Sequence, residues 1–234
     1  MPIKYTIVLF LFGFIACKSQ EINTVQKEVE EKVEEKKVEE TVMIKLKSQS
    51  LGLKESELDP SIPYARLTDF PKDDSAGSVV SRMIDGLGFR YHWATHNLRP
   101  VDLAYLPGNE GRPPKDVLDH LYGLSLTIKN AATKQANVRP SKTPDLAFEE
   151  LRKQTLINFK EASDEFEGLS DVESNTLIFQ RGENKSEAPF WKLLNGPMAD
   201  AIYHVGQIVS FRRSSGNPMH PAVNVFNGSI ELKE

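Results

Sequence analysis

Cysteine is almost absent from this chain of 234 residues: Cys17 is the only one. No intrachain disulfide can therefore form, and a Cys-rich zinc site or a cysteine nucleophile is excluded from any domain downstream. Long apolar runs are missing too. The N-terminal run, Ile7 to Ala16, is roughly half of the ~20 residues that cross a hydrocarbon core. Basic charge is not in excess: 29 Lys and Arg face 33 Asp and Glu, a formal net charge of -4, so nucleic acid is not the expected partner. There is also no Gly-rich phosphate loop of the Rossmann or P-loop kind, no Gly-x-Ser-x-Gly elbow and no His-Glu-x-x-His. Nucleotide-dependent chemistry has no support in the sequence.

What is present begins with a leader. Lys4 precedes the apolar run, and Lys18, Ser19 and Gln20 end it, the layout of a cleaved secretory signal. Phe14-Ile15-Ala16-Cys17 resembles a bacterial lipobox, in which the cysteine receives diacylglycerol and becomes the new N-terminus. The resemblance implies a signal peptide over residues 1–17, lipidation at Cys17, a membrane partner reached through that lipid, and a place in the cell envelope. An ordinary signal in which Cys17 is incidental is the plainer alternative.

Residues 18–58 read as a tether. Between Glu21 and Lys47 there are eight Glu and six Lys, and no Gly or Pro. Val25, Val29, Val33, Val38 and Val42 form a stripe too narrow for a core. It suits a solvated, partly helical stalk or else a dimerising coiled coil, which would make the protein a homodimer. Pro60, Pro63 and Pro71 set the boundary near Asp59, leaving residues 59–234 for one compact domain.

Four helical segments are expected in that domain. Val80, Ile84, Leu87, Tyr91, Ala94 and Leu98 recur at the spacing of one buried helical stripe, predicting a helix over 75–98 that Arg99-Pro100 ends. Pro113-Pro114 opens a second, with Val117, Leu121, Leu124, Ile128 and Ala131 repeating the spacing until short of Pro140. A third runs from Thr143, a candidate N-cap, to about Phe166. The fourth covers 190–214 and is expected to bend or restart at Gly196-Pro197. A short strand over 176–180, turning at 181–184, is predicted before the last helix, and another at 223–226. The fold class is therefore mainly α, a four-helix bundle with a short β-hairpin or strand pair ahead of its last helix.

On the second helix His120 lies about 60 degrees from the centre of the apolar stripe, and on the fourth Asp200 and His204 stand i, i+4 on one face. If those helices are neighbours, two imidazoles and one carboxylate converge, an open set suited to a divalent transition metal. A hydrogen-bonded Asp/His pair and a histidine at the edge of the core explain the same spacing.

The segments Gly88-Phe89-Arg90-Tyr91-His92-Trp93-Ala94-Thr95, Val117-Leu118-Asp119-His120-Leu121-Tyr122-Gly123-Leu124-Ser125 and Ala201-Ile202-Tyr203-His204-Val205-Gly206-Gln207-Ile208 resemble the DinB-like superfamily of four-helix bundles. The resemblance spans residues 75–218. It implies a DinB-like bundle with one metal-binding histidine on the second helix and a His-x-x-x-His pair on the last. His120 matches the first ligand and His204 the last, while Asp200 stands where the family usually has histidine. Carboxylate is itself a ligand for zinc, iron, manganese and nickel. The implied activity is that of a metal-dependent thiol transferase or hydrolase acting on a small molecule. A non-catalytic binding module is the rival, favoured by Asp200 in place of histidine and by the absence of another evident general base.

Other candidates are weaker. His92 and His96 also have i, i+4 spacing, yet they point away from the main stripe, beside Phe89 and Trp93, which favours a surface or secondary-packing role. His96, Gln207 and Arg212 are candidates to line a pocket beside the metal, with Arg212-Arg213 suited either to the helix dipole or to gripping an anion. His220 sits in a Pro-bounded loop without an assigned role.

Overall fold

The computed structural model describes residues 53–232 except 55, 57, 68, 69, 109, 142 and 143, together with residues 27, 32–34, 36 and 37. Cys17, the leader and Thr143 lie outside the described residues. The chain divides into units 1–52 and 53–234. In the first, the described residues are helical and exposed. Among all described residues, no helix is long and apolar enough to cross a membrane.

The second unit is mainly helical with a few short strands. Its helices are α1 (Ala76–Thr95), the single turn α2 (Pro100–Leu103), α3 (Pro114–Ala132), α4 (Phe148–Phe166), the single turn α5 (Trp191–Leu193) and α6 (Ala199–Ser214). The long ones form a closed ring of neighbours, α1 and α3 each packing against α4 and α6. All six positions of the α1 stripe are buried in the common core. Ser75 caps α1, its hydroxyl accepting from the Ser78 N–H at 3.3 Å, as expected of an N-cap serine.

The predicted hairpin is present. β2 (Leu177–Arg181) pairs antiparallel with β3 (Asn184–Ala188). Gly182 in the two-residue turn has φ +59°, the backbone that places glycine first in a type II′ turn. β1 (Ala136–Val138) adds a parallel strand to β2, and the second helix stops at Ala132, just past the last stripe residue and short of Pro140 as expected. β4 (Val223–Asn224) and β5 (Ser229–Ile230) form a second ribbon.

Two expectations are corrected. The first helix ends at Thr95, before Arg99-Pro100, with His96 extended and Asn97 at φ +56°; Pro100 instead opens α2, where its missing N–H costs nothing. Gly196-Pro197 does not restart the helix. Leu194–Met198 instead forms a π turn that carries helix continuously from α5 into α6. Widening the turn by one residue accommodates a proline that cannot donate to the ladder.

A second apolar cluster joins Leu53, Phe89, Trp93 and Ile230, with Leu58, Leu67, Met219 and Val223 against it. The compact unit thus begins upstream of Asp59, because Leu53 is buried there. The Tyr64 ring lies so close to Gly88 that a Cβ at Gly88 would stand 2.4 Å from it. α1 is therefore covered on two sides, by the ring of helices and by the chain's own flanking segments.

The C-terminal carbonyls of α1 are taken by two buried arginines rather than by a glycine cap. Arg152 of α4 donates Nη2 to the His92 carbonyl and Nε to Thr95 Oγ1. Arg212 of α6 donates Nη1 to the carbonyls of Trp93 and Ala94 at 2.8 and 3.0 Å.

Candidate metal centre

α3 and α6 are neighbours, and their facing surfaces bring His120, Asp200 and His204 together. One potential ligand atom from each lies within 4.8 Å of the others. His120 Nε2 stands 3.0 Å from Asp200 Oδ2 and His204 Nε2 stands 3.3 Å from Asp200 Oδ1. The two imidazoles meet edge to face, 4.8 Å between centroids. The π turn enters α6 directly before Asp200, and the i, i+4 spacing then stacks His204 one turn below it.

Gln207 fixes the chemistry of His204. His204 Nδ1 is 2.7 Å from Gln207 Oε1, and an amide oxygen can only accept, so Nδ1 carries the proton and donates. In the neutral ring Nε2 then bears a lone pair facing Asp200 Oδ1, itself an acceptor. Two acceptors held 3.3 Å apart need a cation between them, either a proton or a metal ion. Donor atoms around tetrahedral zinc are separated by about 3.4 Å, given bonds of ~2.0–2.1 Å. Both carboxylate-to-imidazole distances, 3.0 and 3.3 Å, lie just under that spacing and reach it by small outward movements. Side-chain exposures of 39% for His120 and 43% for Asp200, against 12% for His204, leave the solvent side open to a further ligand.

The other sequence candidates are placed elsewhere, Gln207 excepted. Arg212 does not line this cluster: its five N–H groups are directed to the carbonyls of Trp93, Ala94, Asn217 and Pro218 and to Asn217 Oδ1. It is a structural clasp, and burial lowers its pKa to about 10, opposed by the nearby Asp102 carboxylate. His96 stacks on His92 and meets Trp93 edge-on, on the α1 surface of the second apolar cluster. His92 is buried and donates Nδ1–H to the Pro63 carbonyl at 2.8 Å. Its burial, reinforced by the Arg152 guanidinium, pushes its pKa down to about 3. This is the secondary-packing role expected of it.

Tyr203, whose ring contacts the His204 imidazole edge-on at 5.3 Å, was not singled out from sequence. Its place next to His204 in the chain was the available signal. Comparison with family models, with curated proteins and with solved structures finds no match.

Proposed function

We propose that this chain is an envelope lipoprotein, anchored through Cys17, whose DinB-like helical domain holds a divalent transition metal on His120, Asp200 and His204. The observation that carries the metal reading is the unprotonated face of His204 Nε2 set against Asp200 Oδ1, with Gln207 holding the tautomer. The three donors, two imidazoles and one carboxylate, suit zinc, nickel, iron or manganese. A metal bound there supplies Lewis acidity that ionises a weakly acidic water or thiol near neutral pH, the chemistry of a hydrolase or thiol transferase. The protein's own part is to fix the tautomer of His204, to balance the charge with Asp200, and to keep the exposed side of the trio open to a small-molecule substrate.

A non-catalytic binding module remains the second reading. Asp200 bridges both imidazoles without any ion, so a protonated trio is internally paired.

Titration of the full-length chain with zinc and nickel separates the two. The parent is expected to take up one ion, and His120→Ala and His204→Ala to lose it. Asp200→Ala should weaken uptake and Asp200→His should bind at least as tightly as the parent. A parent that takes up no metal, or histidine variants that bind like the parent, would leave only the binding module. Detergent-phase partitioning of Cys17→Ser tests the anchor: the variant should leave the detergent phase.

A further inference from the structure

α6 presents a different surface on its far side. At 100 degrees per residue, Ile202, Val205, Gly206, Val209, Ser210 and Arg213 lie roughly opposite Asp200, His204 and Gln207. With Arg90 of α1 and Met219, His220, Pro221, Val223 and Val225 of the C-terminal segment, they line a groove of about 600 Å³. That volume is within the ~300–1,000 Å³ usual for small-molecule sites.

The composition of this groove is one-sided. Its walls are valine, isoleucine, methionine and proline, and its charged members are Arg90 and Arg213, with no Asp or Glu among the lining residues. The chain as a whole has more acidic than basic residues, so the exclusion is local. Both arginines are exposed, and neither guanidinium meets a carboxylate among the described residues; Arg90 donates only to the Gly86 carbonyl. Both border the groove. The bonds from Arg212 to Trp93 and Ala94 set the Arg213 turn of α6 beside the last turn of α1, about one helical turn from the Arg90 backbone, while the Arg90 guanidinium reaches back to the Gly86 carbonyl. From the Arg213 turn the apolar wall extends back to Ile202, roughly 16 Å along the helix axis.

Gly206 adds a second observation. Glycine inside a helix is unfavourable relative to alanine, and here packing does not demand it: a Cβ at Gly206 would meet nothing within 4 Å. Its bare backbone leaves that part of the groove open.

We propose that this groove binds single molecules of an anionic amphiphile, a carboxylate with a medium-length hydrocarbon chain, its head on an arginine that borders the groove, Arg90 or Arg213, and its chain along Val209, Val205 and Ile202. Arginine offers carboxylate a paired, charge-assisted hydrogen bond, and burial of the chain on the apolar wall supplies the rest. The concave shape favours an individual molecule over a bilayer surface, which docks on projecting amphipathic faces. The site is independent of the metal reading, being on the other side of α6.

The test uses the full-length chain in nanodiscs of zwitterionic lipid, with decanoate, decanol and decyltrimethylammonium as ligands and empty nanodiscs as the reference. Saturable uptake of decanoate in excess of the reference is expected, with decyltrimethylammonium taken up no more than by the reference. Photo-crosslinking with a diazirine-bearing decanoate should label residues 202–213 and 219–225. Combined Arg90→Gln and Arg213→Gln should weaken decanoate about tenfold and leave decanol unchanged. Gly206→Trp, filling that open part, should weaken both; if it fails to fold, the exposed arginine pair carries the test alone. A chelator should change none of this, whatever becomes of the metal site.

The proposal is overturned if decyltrimethylammonium binds as well as decanoate, or if labels fall outside these segments. It is likewise overturned if the arginine variant binds like the parent, or if the chain ignores decanoate and binds only anionic vesicles.

Discussion

Asp102, in α2, is buried and accepts five hydrogen bonds, whereas Asp200, at the start of α6, is 43% exposed and meets only two imidazoles. The donors to Asp102 are the Arg99 N–H, Nε and Nη2, Ser215 Oγ and Asn217 Nδ2, at 2.6 to 2.9 Å. A carboxylate has about four lone-pair sites, so none is left for a ligand. The Arg99 guanidinium, then the Ser215 and Asn217 bonds against the cost of burial, holds its carboxyl well below the usual range. Asp200 instead meets two imidazoles, and its outer side faces water. The contrast separates a charge spent on joining α2 to the end of α6 from a charge kept available. Arg212 and His204, on the same helix, divide in the same way.

Removing the buried carboxylate should have the largest effect on the fold. Asp102→Ala strands the Ser215 and Asn217 donors and a half-exposed Arg99, and is expected to cost about 3 kcal/mol, the low end for breaking a buried pair. Urea unfolding measures it. Because the folded carboxyl titrates below its unfolded value of about 3.9, the stability it contributes is complete above pH 4 and is lost as pH falls through the folded value. Asp102→Ala should flatten that acid limb. A cost below about 1 kcal/mol would put Asp102 in the class of surface pairs and erase the contrast.

Gln207 sharpens it from the other side. Gln207→Leu removes the acceptor that holds His204 Nδ1–H, and loss of such an orienting partner costs about 10 to 100 fold in metal affinity. Zinc titration by calorimetry reads it. Unchanged affinity would mean that the tautomer is held by something other than the amide.

The buried imidazole comes next. His92 is neutral in the fold, with its pKa at about 3, while in the unfolded chain it takes up a proton below about pH 6.5. The unfolded state therefore binds more protons between these values, and stability falls as pH drops through that window, by at most about 1.4 kcal/mol per unit from this group. His92→Asn keeps a donor for the Pro63 carbonyl but cannot titrate. Between pH 6 and 4 its stability should decline less steeply than the parent's in paired urea series.

These cases show what could be read from the sequence. The long helices were legible because each main stripe, such as Val117, Leu121, Ile128 and Ala131, faces one core, and turn chemistry at Gly182 announced the hairpin. His120, Asp200 and His204 were legible as a convergent set once α3 and α6 became neighbours. The burial of His92 and the task of Arg212 were harder to see. A single-stripe reading assumes that one face of α1 is covered, whereas segments 53–67 and 217–232, far apart in the chain, cover a second. β1 escaped for a related reason: three residues acquire strand geometry only by pairing with β2, some forty residues later.

Asp200 offers the smallest effect and the most direct attack on the comparison. Asp200→Asn preserves the shape of the side chain while removing its charge. In metal-free protein the change in unfolding free energy should stay within about 0.5 kcal/mol, as for surface positions generally. The side chain is 43% exposed, so water can replace either imidazole contact, and an amide N–H can donate to His204 Nε2, the lone pair that Asp200 Oδ1 now faces. No buried donor is stranded, unlike at Asp102. Urea unfolding of parent and variant, both stripped with a chelator, measures the difference. A loss approaching that of Asp102→Ala would show that the trio holds α3 to α6 as a structural clasp. The argument for a site kept open to a metal would then lose its foundation, since a carboxylate fully engaged in the fold has nothing left to offer an ion.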